Sequence, residues 1–179
     1  MRSLITVIAV VSAGVLAAAA LAANPNFHQG PTCSTSGTGT TSTSTTCSGT
    51  LYGVGVQDIN AQVTVSGFAV YTCSNKGGNT APGQNQVTAG PSTSNTSFPA
   101  STAVNGHLTF TTSASTLTVP PSVSGAAAGC PNGNWTGTTP RVTVTSIELV
   151  LSQGSTSFYD CTASDPKGLG SSVSLPISC

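Results

Sequence analysis

The sequence predicts an all-β fold: an antiparallel two-sheet sandwich of Ig-like architecture behind an N-terminal signal helix. Three observations carry this expectation. Between Asp58 and Cys73, apolar odd positions (Ile59, Ala61, Val63, Val65) alternate with polar even ones (Asn60, Gln62, Thr64, Ser66). That period of two marks a strand with one buried and one wet face. About seven such short runs recur along the chain, separated by Gly, Pro and Asn turns, the spacing of a sandwich. Past the signal, no window shows the i, i+3, i+4, i+7 repeat of an amphipathic helix. A closed barrel is the alternative way to arrange the same strands.

The chain opens with Met1-Arg2 as a positive n-region, followed by an uncharged run from Ser3 to Leu21. Leu4, Ile5, Val7, Ile8, Val10 and Val11 build its apolar core, and Ala20-Leu21-Ala22 fits the small-x-small rule of signal peptidase. Cleavage is expected after Ala22, with Ala20 as the second choice. An uncleaved anchor is the competing reading, since about 20 apolar residues reach across a bilayer. Cys33 is too far from the apolar run to be lipidated there. The expected organisation is a signal peptide over 1–22, a loose segment over 23–32, and a single β-sandwich domain over 33–179.

Cys33 and Cys47 flank a Ser/Thr/Gly segment expected to fold back as a hairpin near Gly37 to Gly39. In the Asp58–Cys73 strand, Gly67 interrupts the alternation, which suggests a bulge or a bend between sheets. Residues 74–101 read as turns and loop, with one short strand near Gln86 to Ala89. Asn105-Gly106 is a hairpin turn signal, followed by a strand over His107 to Thr112. Leu117 and Val119 form another short strand, stopped by Pro120-Pro121. Trp135 opens a long β region to Leu151. Its buried parity changes between Val142, Val144 and Ile147, Leu149, Leu151, which places a β-bulge near Thr145-Ser146. Gln153-Gly154-Ser155 turns the chain back along Thr156 to Thr162, and Ser172 to Ile177 is the last strand.

All six cysteines follow the signal. Export and an even count read as three disulfides. A metal site would need Cys-x-x-Cys pairs or a Cys/His cluster, and the sequence has neither. Six cysteines allow 15 connectivities. Pairing Cys33 with Cys47 across the hairpin, and Cys161 with Cys179 around the C-terminal stretch, leaves Cys73 with Cys130. By loop entropy these closures stabilise by about 3, 3 and 4 kcal/mol.

Composition excludes whole classes of function. After removal of the signal the cations are Lys76, Arg141 and Lys167, and the acids are Asp58, Glu148, Asp160 and Asp165. Nucleic-acid binding needs clustered Lys and Arg, and a basic membrane-binding patch is missing for the same reason. Ser and Thr, about a third of the residues, must supply solubility, and Thr favours strands through its branched Cβ.

Three stretches carry a resemblance: Cys47-Ser-Gly-Thr-Leu with Gly53-Val-Gly-Val-Gln-Asp; Cys73-Ser-Asn-Lys-Gly-Gly-Asn-Thr with Pro82-Gly-Gln-Asn; and Cys130-Pro-Asn-Gly-Asn-Trp-Thr. Together they resemble a group of uncharacterised exported proteins, mostly of high-GC Gram-positive bacteria, over roughly residues 30–160. The resemblance supports pairing Cys33 with Cys47 and Cys73 with Cys130. The Cys161 and Cys179 pair looks like an addition in this chain. No activity is assigned to the group, so it implies no functional residues.

Catalysis needs a nucleophile with a base, or paired acids. His28 falls in the loose start and His107 just after the Asn-Gly turn, both expected at the surface. No serine sits in Gly-x-Ser-x-Gly. Asp160 and Asp165 flank Cys161 and precede Pro166, as in a turn. Glu148 is mid-strand, opposite the apolar parity, and should face solvent. Four acids, scattered as these are, make no calcium cage. Trp135, Tyr52, Tyr71 and Tyr159 are candidates for a sugar-stacking platform, with core packing as the plainer role. Asn95-Thr-Ser and Asn134-Trp-Thr match the glycosylation sequon.

The expected function is that of a secreted, non-catalytic extracellular protein, structural or ligand-binding. No catalytic residue, cofactor or metal is expected. The expected partner is an extracellular ligand or cell-surface component, with no nucleic acid and no membrane after signal cleavage. A secreted inhibitor or small-molecule carrier would instead need an apolar cleft lined by Phe68, Phe110 or Tyr71. A secreted hydrolase would need Glu148 and Asp160 in one concavity.

Overall fold

The computed structural model describes residues 25–37, 41–169 and 175–179. The expected signal peptide over 1–22 lies outside the described residues, as do most of the first hairpin turn and the start of the expected last strand. Two antiparallel sheets stack without closing into a barrel, which settles the sandwich against its alternative. One sheet holds β1 (Asn26–Phe27), β2 (Thr32–Ser36), β3 (Ser42–Tyr52), β7 (His107–Thr111), β8 (Ser115–Thr118) and β12 (Leu175–Pro176). The other holds β4 (Ile59–Asn75), β5 (Thr80–Pro82), β6 (Val87–Phe98), β9 (Ser122–Ser124), β10 (Trp135–Gln153) and β11 (Thr156–Ser164).

The period-2 pattern places the core as expected. Ile59, Val63, Val65 and Tyr71 of β4 and Ile147, Leu149 and Leu151 of β10 turn inward, against Leu51, Phe110 and Leu117 of the facing sheet. The β4–β10 ladder is the spine of the molecule, and its irregularity falls where the parity change put it. Val144 pairs with Gly67 and Ser146 with Ser66, so Thr145 is the extra residue of a bulge. The bulge moves the buried set of β10 from even to odd positions. Opposite it, Gly67 is required: a Cβ there would run into the Thr143 carbonyl. The Gln153 turn is also as expected, with Gly154 at φ 60° in a two-residue loop between Gln153 and Thr156.

Two stretches differ from expectation. The N-terminal segment read as loose supplies β1, which pairs Asn26 with Tyr52 and Phe27 with Leu51. Residues 74–101 were expected to be mainly loop, yet β6 runs for 12 residues along β4. Its Ser/Thr/Asn composition carries no apolar alternation, and Gly90-Pro91 reads as a break. The pair is instead absorbed as a second bulge, between the Val65–Ser92 and Gly67–Ala89 pairs.

All three disulfides join the expected partners: Cys33–Cys47, Cys73–Cys130 and Cys161–Cys179. Cys33 and Cys47 face each other directly across β2 and β3. The last pair fastens a strap. Residues 175–179 pair with Cys33 and Thr32 of one sheet, then Ser178 exchanges backbone hydrogen bonds with Thr162 of the other. The strap thereby seals one flank of the sandwich. At the opposite flank, hydroxyls do the sealing: Ser115 Oγ donates to the Ser92 carbonyl at 2.8 Å and Ser94 Oγ to the Ser113 carbonyl at 3.0 Å. Three disulfides of this kind belong to an oxidising, extracellular type of environment.

Candidate functional site

Alternation along β3 decides what the first sheet shows to solvent. Thr43, Thr45, Cys47 and Leu51 are buried, so Ser44, Thr46, Ser48, Thr50 and Tyr52 face outward. The neighbouring strands continue the pattern. Cross-strand hydroxyl pairs link Ser34 to Thr46 at 3.3 Å, Ser44 to Thr116 at 2.8 Å and Thr50 to Thr109 at 3.1 Å. None of the described strands of this sheet contains Asp, Glu, Lys or Arg. The result is a flat, uncharged, hydroxyl-covered face.

At one end of this face stands Tyr52. Register places it between Asn26 of β1 and His107 of β7. The His107 ring meets it edge-on, with ring centroids 4.4 Å apart, and His28 approaches from the β1 side at 6.2 Å. Both histidines of the chain therefore converge on one tyrosine. Beside it runs a groove of about 260 Å³, lined by His28, Gln29, Thr32, Ser48, Thr50 and Tyr52 with backbone at Gly30 and Gly49. The lining combines a phenol ring, an imidazole, hydroxyls and an amide, without Asp, Glu, Lys or Arg. Such a surface suits an uncharged polar ligand that stacks on one face and hydrogen-bonds at its edges.

The other candidates disperse. Among the described residues no ring contact joins Trp135, Tyr52, Tyr71 and Tyr159, so the alternative of a joint stacking platform does not assemble. Tyr71 is buried and its hydroxyl donates to the Pro120 carbonyl at 2.8 Å; burial pushes its pKa up. Tyr159 and Phe27, both partly buried against the core, meet with tilted rings whose centroids are 4.8 Å apart. Trp135 is half-buried opposite Asn75. The acids separate too. Asp58 Oδ1 accepts from the Ala100 amide at 2.9 Å, a contact across 42 positions, and Asp165 Oδ1 from the Lys167 amide at 2.8 Å, a local turn bond. Glu148 and Asp160 share the outer face of the second sheet one diagonal step apart, opposite Thr162 and Val150 respectively. Neither lines the Tyr52 groove or either groove of the second sheet.

Two further grooves lie on the second sheet. One, about 240 Å³, is bounded by Val70, Tyr71, Thr72, Pro82, Thr139, Pro140 and Arg141. It follows a second register shift in β10, where Thr139 holds φ 49°, a strained value for a β-branched residue. Of the residues that would have lined a carrier's apolar cleft, Phe110 closes the core and Tyr71 shows only its margin here. The other, about 550 Å³, opens between two turns at Asn75, Lys76, Gly77, Gly133 and Asn134. The six cysteines are all engaged in disulfides.

The Tyr52 groove escaped sequence reasoning because its lining comes from two stretches, His28 to Thr32 and Ser48 to Tyr52, that only strand register brings together. Tyr52 and the histidines were visible singly. The only signal for their meeting was that Asn105-Gly106 starts a strand with His107 at its first position. No protein-family model, curated protein or solved structure matches the chain.

Proposed function

We propose that this is a secreted, non-catalytic extracellular protein whose first sheet binds an uncharged polar ligand or cell-surface component. One observation carries the proposal: the Tyr52 ring, flanked by both histidines, stands over a groove without Asp, Glu, Lys or Arg that continues into a hydroxyl face. The signal sequence and the three disulfides support export. The Ig-like label belongs to the same proposal as a statement of architecture alone, supported by the two stacked antiparallel sheets.

The test is a screen of the oxidised mature protein against neutral oligosaccharides and cell-envelope fractions. Binding at the face should weaken about fivefold in Tyr52→Ala, since one stacked ring contributes on the order of 1 kcal/mol. A ligand whose affinity is the same in Tyr52→Ala counts against the groove. Hydrolysis of any member of the panel that disappears in Glu148→Gln would overturn the non-catalytic reading.

A further inference from the structure

We propose a second ligand site, at the far end of β4, for a saccharide that carries a carboxylate. It is independent of the Tyr52 groove: Tyr52 precedes the start of β4, and this site begins at Asn75, the last residue of that 17-residue strand.

Two Asn/Gly turns form its walls. In the first, Asn75 Oδ1 accepts from the Gly77 and Asn79 amides, both at 3.0 Å. In the second, Asn132 Oδ1 accepts from the Asn134 amide at 3.0 Å, and the Trp135 amide bonds the Asn132 carbonyl at 3.2 Å. The Cys73–Cys130 disulfide ties the two turns together, and Trp135 pairs with Asn75 beneath them. The walls are thus ordered before a ligand arrives, which removes much of the entropy cost of binding.

What the walls present is unspent. The Asn134 side-chain amide and the Lys76 ammonium have no protein partner among the described residues, and both residues are exposed. Gly133 is more telling. Its φ is not in the left-handed region, and a Cβ there would meet nothing within 4 Å. Neither backbone strain nor packing calls for glycine at this position. A glycine there does keep the groove open and its backbone bare.

The chemistry of these groups selects a ligand class. An amide offers a donor and an acceptor to neighbouring sugar hydroxyls. Lys76 is the one charged group in the lining and matches one carboxylate. A polyphosphate would need several clustered cations.

The experiment titrates the oxidised mature protein with a galacturonic-acid oligomer and with the neutral galactose oligomer of equal length. Backbone amide NMR shifts are followed at residues 75–79 and 132–135. The expected result is saturable shifts confined to these turns, with the acidic oligomer preferred about fivefold, the modest scale of an exposed charge pair. Lys76→Gln should abolish the preference. Gly133→Ala should weaken both oligomers without changing the melting temperature, and Tyr52→Ala should change neither. No saturable shift at the turns overturns the site. Equal affinity for the two oligomers overturns the carboxylate assignment, and unchanged binding in Gly133→Ala overturns the role of the open groove.

Discussion

Thr45 is the clearest residue-scale irregularity. Its hydroxyl is buried with no hydrogen-bond partner among the described residues, while the residue itself sits on the inward face of β3. Thr45→Val keeps the shape and removes the unpaired group, so it should raise stability by about 1 kcal/mol in a denaturant titration. Gly67 should respond the opposite way. Gly67→Ala drives a methyl against the Thr143 backbone, which cannot swing aside as a side chain would, and should cost more than about 2 kcal/mol. Tyr71 ties stability to alkaline pH. Its folded pKa is raised above the ordinary 10.0 by burial, so the neutral phenol favours the folded state. That contribution is complete below the unfolded pKa and is lost as pH rises through the folded one. A Tyr71→Phe variant should be less stable at neutral pH by about 1 kcal/mol, through the lost bond to Pro120. Its stability should also fall less steeply above pH 10 than the parent's, by unfolding measured across that range. Gly67 and the inward parity of Tyr71 were legible in the sequence. The Pro120 partner, 49 positions away, was not.

At the scale of elements, legibility followed apolar patterning. β4 and β10 announce themselves because their inward residues are hydrocarbon and their outward ones polar. β6 does not, because its inward face carries Ser92, Ser94 and Thr96, whose hydroxyls and carbonyls are used up on residues 113 and 115 across the sandwich. A strand held by hydroxyl bridges looks like loop to any reading based on hydrophobic period. The candidate groove was hidden in a related way: its composition is visible, but β1, β3 and β7 meet only through long-range register. The strap is the element with the clearest energetic prediction. Replacing Cys161 and Cys179 together by serine reopens an 18-residue loop and should cost about 3 kcal/mol in a denaturant titration. New amide exchange should concentrate at Thr162 and Ile177, the residues the strap holds, rather than along β6.

The whole molecule is held with very little electrostatics. It carries four cations and four acids in 179 residues and has no net formal charge. Its melting temperature should therefore move by less than about 2 °C between low and moderate sodium chloride, because there are few exposed pairs for salt to screen. Covalent closure takes over the work, and its consequence is mechanical. The three bridges enclose stretches of 14, 57 and 18 residues. Under tension applied to its two ends, the chain can pay out only the segments between the bridges, chiefly Cys47 to Cys73 and Cys130 to Cys161. Those segments hold β4 and β10, the longest ladder in the fold. A molecule caught between two surfaces would thus load its strongest element first and reach a short, fixed limit of extension.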